Sequence, residues 1–208
     1  MEKLQFITDG IDADETTRQA LAAIEGGCRW VQIRMKDADD AEVLDAARRI
    51  IPFARKHGTT VVLDDRVHLV AESGADGVHI GKEDMPPEEA RRILGTDKII
   101  GVTVNSLEDI LSVDKCLIDY MGMGPFRFTT TKKRLAATLG LDGYQRILSD
   151  ARNRGIDIPV VAIGGITLGD VPELMSTGIN GIAVSGAISR AENPVEATRD
   201  FMKSLNTK

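Results

Sequence analysis

Two kinds of segment alternate along all 208 residues of the chain. One kind is short, apolar and rich in β-branched residues, which predicts a strand, whereas the other repeats apolar residues at helical spacing. The predicted strands are Leu4–Thr8, Trp30–Arg34, Thr60–Leu63, Gly77–Ile80, Ile99–Thr103, Ile118–Gly122, Pro159–Ile163 and Gly181–Val184. The predicted helices are Thr16–Glu25, Ala41–His57, Val67–Ser73, Pro87–Leu94, Leu107–Cys116, Tyr144–Arg154, Val171–Ser176 and Val195–Leu205.

Eight strand–helix units require parallel strands that are joined by crossover helices. Such strands are buried on both faces, which explains why their segments are almost continuously apolar. The alternatives are a closed barrel and an open, doubly wound sheet. Eight units of about 26 residues fit a small (β/α)₈ barrel, whose lower size limit is roughly 200 residues. No Pro- or Ser-rich linker interrupts the chain, so we predict an α/β protein with a single TIM-barrel domain over residues 1–208.

Composition excludes several other classes of protein. The chain has 26 Lys and Arg against 32 Asp and Glu, a net charge of −6, which argues against a nucleic-acid partner. No apolar segment approaches the roughly 20 residues that span a bilayer, and the first residues lack the pattern of a signal peptide. The two cysteines, Cys28 and Cys116, lack metal-type spacing. We therefore expect a cytoplasmic protein that binds neither nucleic acid nor membrane.

Polar residues are concentrated directly after the predicted strands. In a barrel the carboxyl ends of all strands meet at one face, and this face carries the active site. The clusters are Gln32–Lys36, Asp64–Arg66, Gly81–Asp84, Thr103–Asn105, Thr129–Lys133, Gly164–Gly165 and Ser185–Gly186. We expect them to line one pocket.

Three alternating side chains at the end of the second strand face the same side of the sheet, namely Gln32, Arg34 and Lys36. Two cations that face into a barrel need an anion or water to meet them. They predict a clamp for a phosphate or diphosphate. The alternative is that both cations pair with neighbouring acids.

Carboxylates follow the next two strands, Asp64 and Asp65 after the third and Asp84 after the fourth. Carboxylates at adjacent strand ends can share Mg²⁺, which typically takes one or two of them together with water and substrate phosphate. The alternative is that each Asp caps the helix that follows it. Beside the cationic clamp, these residues predict a Mg²⁺ site.

Two further regions predict contacts to a second anion. The only long connection, from Met123 to Asp142, contains the polar run Thr129–Lys133, and loops of this length are usually functional. The pairs Gly164-Gly165 and Ser185-Gly186 follow the seventh and eighth strands, where TIM barrels often bind phosphate through main-chain N–H groups. The alternative is that these glycines serve only the turns. Of the histidines, His79 is the one we place near the pocket rim.

Together these residues resemble the thiamine phosphate synthase family of (β/α)₈ enzymes. The resemblance extends from Val31 to Ser189, and its specificity lies in the order and spacing of several landmarks. The landmarks are Val31-Gln32-Ile33-Arg34-Met35-Lys36, Ala75-Asp76-Gly77-Val78-His79-Ile80-Gly81-Lys82-Glu83-Asp84, Gly124-Pro125, Thr129-Thr130-Thr131-Lys132-Lys133 and Ala162-Ile163-Gly164-Gly165-Ile166.

The resemblance implies a transferase that joins 4-amino-5-hydroxymethyl-2-methylpyrimidine diphosphate to 4-methyl-5-(2-hydroxyethyl)thiazole phosphate, giving thiamine phosphate and diphosphate. It implies a dissociative route, in which diphosphate leaves before the thiazole nitrogen attacks the pyrimidine cation. Such a leaving group needs Mg²⁺ and several cations more than it needs a strong base. The implied partners are small phosphorylated substrates, and whether the chain forms a homo-oligomer stays open.

Matched residue by residue, the resemblance implies three sites. The pyrimidine diphosphate would contact Gln32, Arg34, Lys36, Asp64, Thr103 and Lys132, of which Arg34, Lys36 and Lys132 would be catalytic. The thiazole phosphate would contact Thr129, Thr131, Gly165, Ser185 and Gly186. Mg²⁺ would bind Asp65 and Asp84.

Two places depart from the family pattern. Asp64 stands where Asn is common. Because an ionised Asp only accepts hydrogen bonds, Asp64 would either accept from the pyrimidine amino group or join the metal site. Ser185-Gly186 replaces the usual Ile-Ser, and the phosphate contact there would use Ser185.

Three other functions fit parts of the pattern. A thiazole tautomerase shares the fold and the thiazole phosphate pocket, but it has no use for the diphosphate set of Arg34, Lys36, Asp65, Asp84 and Lys132. A non-catalytic binder of thiamine phosphate would not need paired carboxylates. A phosphosugar enzyme would need an acid–base pair for enolisation, which we cannot place.

Overall fold

The protein, described here by a computed structural model over residues 1–128 and 137–207, is built on eight parallel strands. They are β1 (Leu4–Ile7), β2 (Trp30–Ile33), β3 (Thr60–Asp64), β4 (Gly77–Ile80), β5 (Ile99–Val104), β6 (Tyr120–Met123), β7 (Val160–Ile163) and β8 (Gly181–Val184). The strands pair in chain order, and β8 pairs with β1 to close the barrel. The predicted (β/α)₈ fold is confirmed, and the end of each predicted strand shifts by two residues or fewer.

Helices follow the strands around the outside of the barrel. Those within the described residues are α1 (Ala13–Glu25), α2 (Asp40–Lys56), α3 (Val70–Ser73), α4 (Pro87–Leu94), α5 (Leu107–Ser112), α6 (Gly140–Arg152), α7 (Val171–Ser176), α8 (Gly186–Ser189) and α9 (Pro194–Asn206). Side-chain oxygens cap four of them, since α1, α2, α5 and α9 follow Asp12, Asp39, Ser106 and Asn193, each of which accepts a hydrogen bond from a first-turn N–H.

Apolar side chains form two separate clusters on the two faces of the sheet. The larger cluster packs the sheet against the helices and includes Val31 and Leu63. The smaller cluster lies inside the barrel and consists of Ile7, Trp30, Tyr120, Val161 and Ala183. The barrel interior is therefore a packed core, and the site must lie at the mouth that the carboxyl ends of the strands form.

Two strand glycines make room for ring side chains in this interior. A Cβ atom on Gly101 would lie 2.1 Å from the Tyr120 ring, and one on Gly122 would lie 2.9 Å from the His79 ring. Glycine in a strand often marks such a close approach. Tyr120 and His79, both buried, can therefore lie side by side in the barrel.

The helices differ from the sequence expectation mainly at their ends. α1 begins at Ala13 instead of Thr16, α5 ends at Ser112 instead of Cys116, and the predicted helix Val67–Ser73 is a 3₁₀ turn followed by α3. The sixth helix begins at Gly140 instead of Tyr144, so the connection after β6 spans residues 124–139. The single turn α8 was not predicted at all. Both begin at a glycine, a residue with low helix propensity, which hides such starts in the sequence. Within residues 1–128 and 137–207, no helix combines the length and apolar character that crossing a bilayer requires.

Candidate active site

The side chains at the ends of β2 and β3 pair with one another. Gln32 Nε2 donates to Asp64 Oδ1 at 2.5 Å, and Arg34 Nε lies 3.3 Å from Asp64 Oδ2. The side chains of Arg34 and Asp64 are only 16% and 9% exposed, so solvent screens this ion pair little. The structure thus shows the alternative in which clamp cations pair with neighbouring acids, and the binding of diphosphate by the same cations stays a prediction.

Asp65 and Asp84 converge beside Gly81. A Cβ atom on Gly81 would lie 2.5 Å from Asp84 Oδ2 and 3.9 Å from Asp65 Oδ1. Gly81 N–H donates to Asp84 Oδ2 at 2.7 Å, and Lys36 Nζ lies 3.6 Å from Asp65 Oδ2. Asp65 also has a φ of 62°, a left-handed conformation that costs a non-glycine residue about 1–2 kcal/mol. This left-handed residue follows β3 directly, and the two consecutive carboxylates have different partners, Gln32 and Arg34 for Asp64 and Lys36 for Asp65.

The pKa values of the Asp65 and Asp84 carboxyls shift in opposite directions. Burial is the main cause that raises the pKa of Asp65 to about 7, and the charges of Asp64 and Asp84 act in the same direction. Burial opposes ionisation of Asp84 as well, but the hydrogen bonds from Asp65 and the Gly81 N–H, with the charge of Lys36, hold its pKa below the usual value. Two carboxyls this close cannot both ionise easily, so Asp65 carries the proton.

This pair of carboxyls suits a divalent cation. Because metal binding requires deprotonated ligands, a cation held by Asp65 and Asp84 would favour the ionised form of Asp65. Among the residues that the structure describes, no group of three or more His, Cys, Asp and Glu side chains is arranged to hold a metal. Two carboxylates are a number of protein ligands typical of Mg²⁺ sites, which use water and phosphate oxygens for the rest. The Mg²⁺ itself remains a prediction.

Asp64 determines the orientation of the Gln32 amide. An ionised carboxylate only accepts hydrogen bonds, so the Gln32 amide turns Nε2 toward Asp64 and Oε1 away from it. Gln32 is 2% exposed, and its Oε1 has no hydrogen-bond partner within the described residues. A buried acceptor without a partner costs about 1–3 kcal/mol. A ligand with an N–H group at this place would remove that cost.

A chain of hydrogen bonds crosses the barrel interior and ends at Thr103. Gln5 Nε2 donates to Tyr120 Oη at 3.2 Å, and Tyr120 Oη lies 3.0 Å from His79 Nδ1. His79 Nε2 lies 3.0 Å from Thr103 Oγ1. Sequence reasoning placed His79 and Thr103 near the pocket but missed Gln5 and Tyr120. Each of these two sits in an ordinary strand segment, and nothing local indicates that they meet across 115 residues of chain.

An arginine from the connection after β6 holds the turn after β7. Gly164 and Gly165 have φ values of 101° and 66°, which glycine adopts without steric cost. Arg127 Nη1 donates to Gly165 O at 2.9 Å, and the guanidinium donates twice to the Asp170 carboxylate at 2.8 Å. This bidentate pair joins residues 43 positions apart, and sequence reasoning did not find it.

The loops after β7 and β8 bring the predicted phosphate contacts Gly165, Ser185 and Gly186 to the same mouth as the carboxylates. Gly186 is the first residue of α8, directly after β8. Ser185 Oγ is buried and lacks a hydrogen-bond partner in the described part of the chain, as expected of a group that serves a ligand. The predicted contacts Thr129, Thr131 and Lys132 lie outside the described residues, so their roles stay predictions.

Comparison with known proteins finds one family along nearly the whole chain. The family model for thiamine monophosphate synthase matches residues 4–188. A thiamine-phosphate synthase of Bacteroides thetaiotaomicron is 49% identical over 208 residues, which cover 100% of this chain and 98% of the relative. A thiamine-phosphate synthase of Phocaeicola vulgatus is 51% identical over 200 residues, 96% of each chain.

Solved structures agree with the sequence comparisons. The thiamine phosphate pyrophosphorylase of Pyrococcus furiosus matches with a TM-score of 0.85 and 35% identity, over 98% of this chain and 95% of that one. A barrel named as native KDPGal matches with a TM-score of 0.75 but only 18% identity, over 97% of this chain and 93% of that one. The second likeness concerns the fold alone.

Proposed function

The chain belongs to the thiamine monophosphate synthase family, and we propose that it condenses 4-amino-5-hydroxymethyl-2-methylpyrimidine diphosphate with 4-methyl-5-(2-hydroxyethyl)thiazole phosphate. The products are thiamine phosphate and diphosphate. The observation that carries this proposal is the arrangement of Gln32, Arg34 and Lys36 opposite three carboxylates at adjacent strand ends. Such an arrangement suits a diphosphate leaving group better than it suits acid–base chemistry on a sugar.

The mouth at β2 to β5 would bind the pyrimidine diphosphate. Gln32 Oε1 is a buried acceptor without a partner among the described residues, and it would accept from the amino group of the pyrimidine. Arg34 and Lys36, now paired with Asp64 and Asp65, would turn toward the diphosphate. Charge-assisted hydrogen bonds to phosphate oxygens are strong enough to compete with these carboxylates.

Asp65 and Asp84 would hold Mg²⁺, which when bound supplies positive charge that stabilises the departing diphosphate. Asp65 must first lose its proton, and its pKa of about 7 makes this step depend on pH near neutrality. Lys36, 3.6 Å from Asp65, favours the ionised carboxylate and would also contact the diphosphate. Asp64 would instead keep Gln32 and Arg34 oriented.

The bond changes in this proposal need charge stabilisation and no general base. The bond from the pyrimidine methylene carbon to the diphosphate oxygen breaks, and its electron pair leaves with the diphosphate. Arg34, Lys36 and Lys132 stabilise that charge. The thiazole nitrogen then donates its lone pair to the methylene carbon, which forms the new C–N bond without a proton transfer.

The loops after β7 and β8 would hold the thiazole phosphate. Main-chain N–H groups at Gly165 and Gly186 can approach an anion without interference from a Cβ atom. The buried Ser185 hydroxyl would donate to the same phosphate, and Arg127 keeps the Gly165 turn in place. Thr129 and Thr131 would add contacts from the preceding connection.

A direct assay tests the proposed function. Purified protein is incubated with both substrates and Mg²⁺, and thiamine phosphate and diphosphate are measured together. We expect equal amounts of the two products, none when either substrate is omitted, and loss of both with excess chelator. Conversion of a thiazole substrate without release of diphosphate would point to a tautomerase instead.

A pair of matched variants locates the activity at this mouth. Arg34→Gln removes a cation of the clamp, whereas Arg48→Gln removes an exposed cation of α2 that pairs with Glu72 at 3.3 Å. We expect the first variant to lose most of kcat/KM for the pyrimidine diphosphate and the second to keep it. Equal activities would contradict the clamp.

A further inference from the structure

The hydrogen-bond chain through the barrel has a direction, which Gln5 sets. The amide nitrogen Nε2 of Gln5 can only donate hydrogen bonds, so it donates to Tyr120 Oη. A tyrosine hydroxyl has a single hydrogen of its own. That hydrogen is left for the other neighbour of the hydroxyl, His79 Nδ1 at 3.0 Å.

Burial keeps the Tyr120 hydroxyl protonated. Tyr120 is 1% exposed, and burial is the main cause that raises its pKa far above the ordinary value, although the hydrogen bond from Gln5 acts in the opposite direction. If His79 instead carried its proton on Nδ1, both Gln5 and His79 would donate to Tyr120 Oη. The Tyr120 hydrogen would then lack an acceptor among the hydrogen bonds of the described residues, and a buried unpaired hydrogen is costly.

His79 Nδ1 therefore accepts, and the proton of the neutral imidazole lies on Nε2. His79 Nε2 lies 3.0 Å from Thr103 Oγ1 and donates to it. Because Thr103 Oγ1 already accepts this hydrogen, its own hydrogen can turn to an acceptor in the pocket. Thr103 is half-buried near the carboxyl end of β5, where a substrate can reach it.

From this direction we infer that His79 is a positioning residue, which makes the Thr103 hydroxyl a hydrogen-bond donor to a ring nitrogen of the pyrimidine substrate. The inference rests on the proposed function. An aminopyrimidine ring presents nitrogen atoms that only accept, so a donor at Thr103 complements it. His79 also pairs in register with Asp64 on β3. The end of the hydrogen-bond chain therefore lies beside Asp64, the residue that accepts from Gln32.

Packing around the rings holds the hydrogen-bond chain in this arrangement. Trp30 meets the Tyr120 ring edge-on, with centroids 4.7 Å apart and planes at 78°. The His79 and Tyr120 rings lie 5.4 Å apart, and Gly101 and Gly122 leave space for them alone. Rings that are packed on several sides do not exchange partners readily, so the tautomer is maintained before substrate arrives.

Nitrogen NMR measures the tautomer independently of activity. The full-length protein has three histidines, and a His79→Gln variant assigns the His79 signals. We expect nitrogen chemical shifts typical of a protonated Nε2 and an unprotonated Nδ1 at neutral pH. A proton on Nδ1, or an imidazolium, would overturn the inference.

Two tyrosine variants separate positioning from general packing. Tyr120→Phe keeps the ring but removes the hydroxyl, and we expect KM for the pyrimidine diphosphate to rise about threefold to tenfold, the effect of one hydrogen bond, with KM for the thiazole phosphate unchanged. The control is Tyr144→Phe on α6, which removes another buried hydroxyl, the one that donates to Met123 O at the end of β6. Tyr144→Phe should leave KM for the pyrimidine unchanged, and equal effects of the two variants would overturn the inference.

A double-mutant cycle shows whether the effect passes through Thr103. In a Thr103→Val background the Tyr120→Phe change should no longer alter binding of the pyrimidine, whereas in a Thr103→Ser background it should. Calorimetric binding of 4-amino-5-hydroxymethyl-2-methylpyrimidine monophosphate gives this comparison even where turnover is too slow. If the effects of the Thr103 and Tyr120 changes are additive and the wild-type enzyme is active, the inference about His79 is overturned but the proposed function is not. An inactive wild-type enzyme would instead overturn the proposed function.

Discussion

At the ends of β2, β3 and β4 the site consists of side chains that are already paired, whereas at the ends of β7 and β8 it consists mainly of main chain. Arg34 pairs with Asp64 and Lys36 with Asp65. On the other side Gly164 and Gly165 adopt positive φ values. We call the first region the carboxylate side and the second the glycine side.

This difference indicates how each side recognises an anion. On the carboxylate side Arg34 and Lys36 each have a partner that substrate would displace, so binding there would exchange one set of charge pairs for another. On the glycine side no side chain has to move, because glycine leaves main-chain N–H groups accessible. The carboxylate side should therefore respond to changes of charge, and the glycine side to the addition of a single Cβ atom.

The largest effect is expected on the carboxylate side. Asp84→Ala removes one of two predicted Mg²⁺ ligands, and we expect kcat/KM to fall at least about a hundredfold while the fold is kept. Activity is measured over a range of Mg²⁺ concentrations, with circular dichroism to check the fold. The matched control is Glu83→Gln, which removes the same charge from an exposed neighbour. Equal losses in both variants, or full wild-type activity in excess chelator, would contradict the metal site.

A smaller effect is expected on the glycine side. Gly165→Ala puts a Cβ atom 3.2 Å from Phe128 O at a φ of 66°, so the turn must shift. We expect KM for the thiazole phosphate to rise about tenfold, equivalent to about 1.4 kcal/mol, with KM for the pyrimidine diphosphate nearly unchanged.

Gly58→Ala is the control for backbone strain at Gly165. Gly58 has a φ of 63° with nothing within 4 Å of an added Cβ. Both variants should lose about 1–2 kcal/mol of stability for the left-handed conformation, but only Gly165→Ala should change KM. A change in KM in the Gly58 variant would show that general destabilisation, not the local turn, is responsible.

A third prediction concerns Asp64. Asn offers one accepting oxygen and one donating amide where Asp64 offers two acceptors, so in Asp64→Asn the oxygen can stay with Arg34 while the Gln32 amide turns over to accept from the Asn amide. Gln32 Nε2 instead of Oε1 then faces the pyrimidine. We expect KM for the pyrimidine diphosphate to rise about threefold to tenfold, with substantial kcat and nearly the same Mg²⁺ requirement. A large rise in the Mg²⁺ needed, with unchanged pyrimidine affinity at saturating metal, would instead make Asp64 a metal ligand.

The smallest effect concerns the ion pair that supports the glycine side. Hydrogen bonds from Arg127 lower the pKa of Asp170 to about 2, below the unfolded value of about 3.9. A depressed folded pKa contributes stability above the unfolded pKa, and this contribution is lost as pH falls from about 4 toward 2. Because the Arg127 side chain is 47% exposed, we expect less than about 1 kcal/mol.

Urea unfolding of wild type and Asp170→Asn at several pH values measures this contribution. The wild type should be slightly more stable at pH 7, and the two should converge near pH 2. A difference that stays constant with pH would exclude the ion pair as its source.

The alternation of apolar strands with amphipathic helices was sufficient to predict the barrel. The spacing of apolar residues in each segment predicts whether it is a strand or a helix. A strand that is buried on two faces needs continuous apolar residues, and a helix that is buried on one face needs apolar residues at helical spacing. Parallel pairing with crossover helices is common to the barrel and the doubly wound sheet, so the choice of the barrel depended on eight units in a chain of this length. The sequence missed two helix starts at glycine, Gly140 and Gly186, because helix propensity there opposes the structure. It also misplaced the start of α1 and the end of α5.

The site was predictable to the extent that it follows strand ends. Gln32, Arg34, Asp64, Asp65 and Asp84 meet because parallel strands end at one face, and that rule needs no knowledge of side-chain packing. The partners within the cluster were not predictable. Sequence reasoning left open whether Asp64 would meet the metal, and only the structure shows that Asp64 pairs with Gln32 and Arg34 while Asp65 lies beside Lys36.

Sequence alone determined the barrel and the face that carries the chemistry, since both depend on periodicity along the chain. Tertiary structure alone decided that Gln5, Tyr120, His79 and Thr103 form one chain, and that Arg127 holds Asp170. These contacts join residues from 24 to 115 positions apart. Hydrogen bonds depend on distances of a few tenths of an ångström, which packing of the whole barrel sets and no local pattern records.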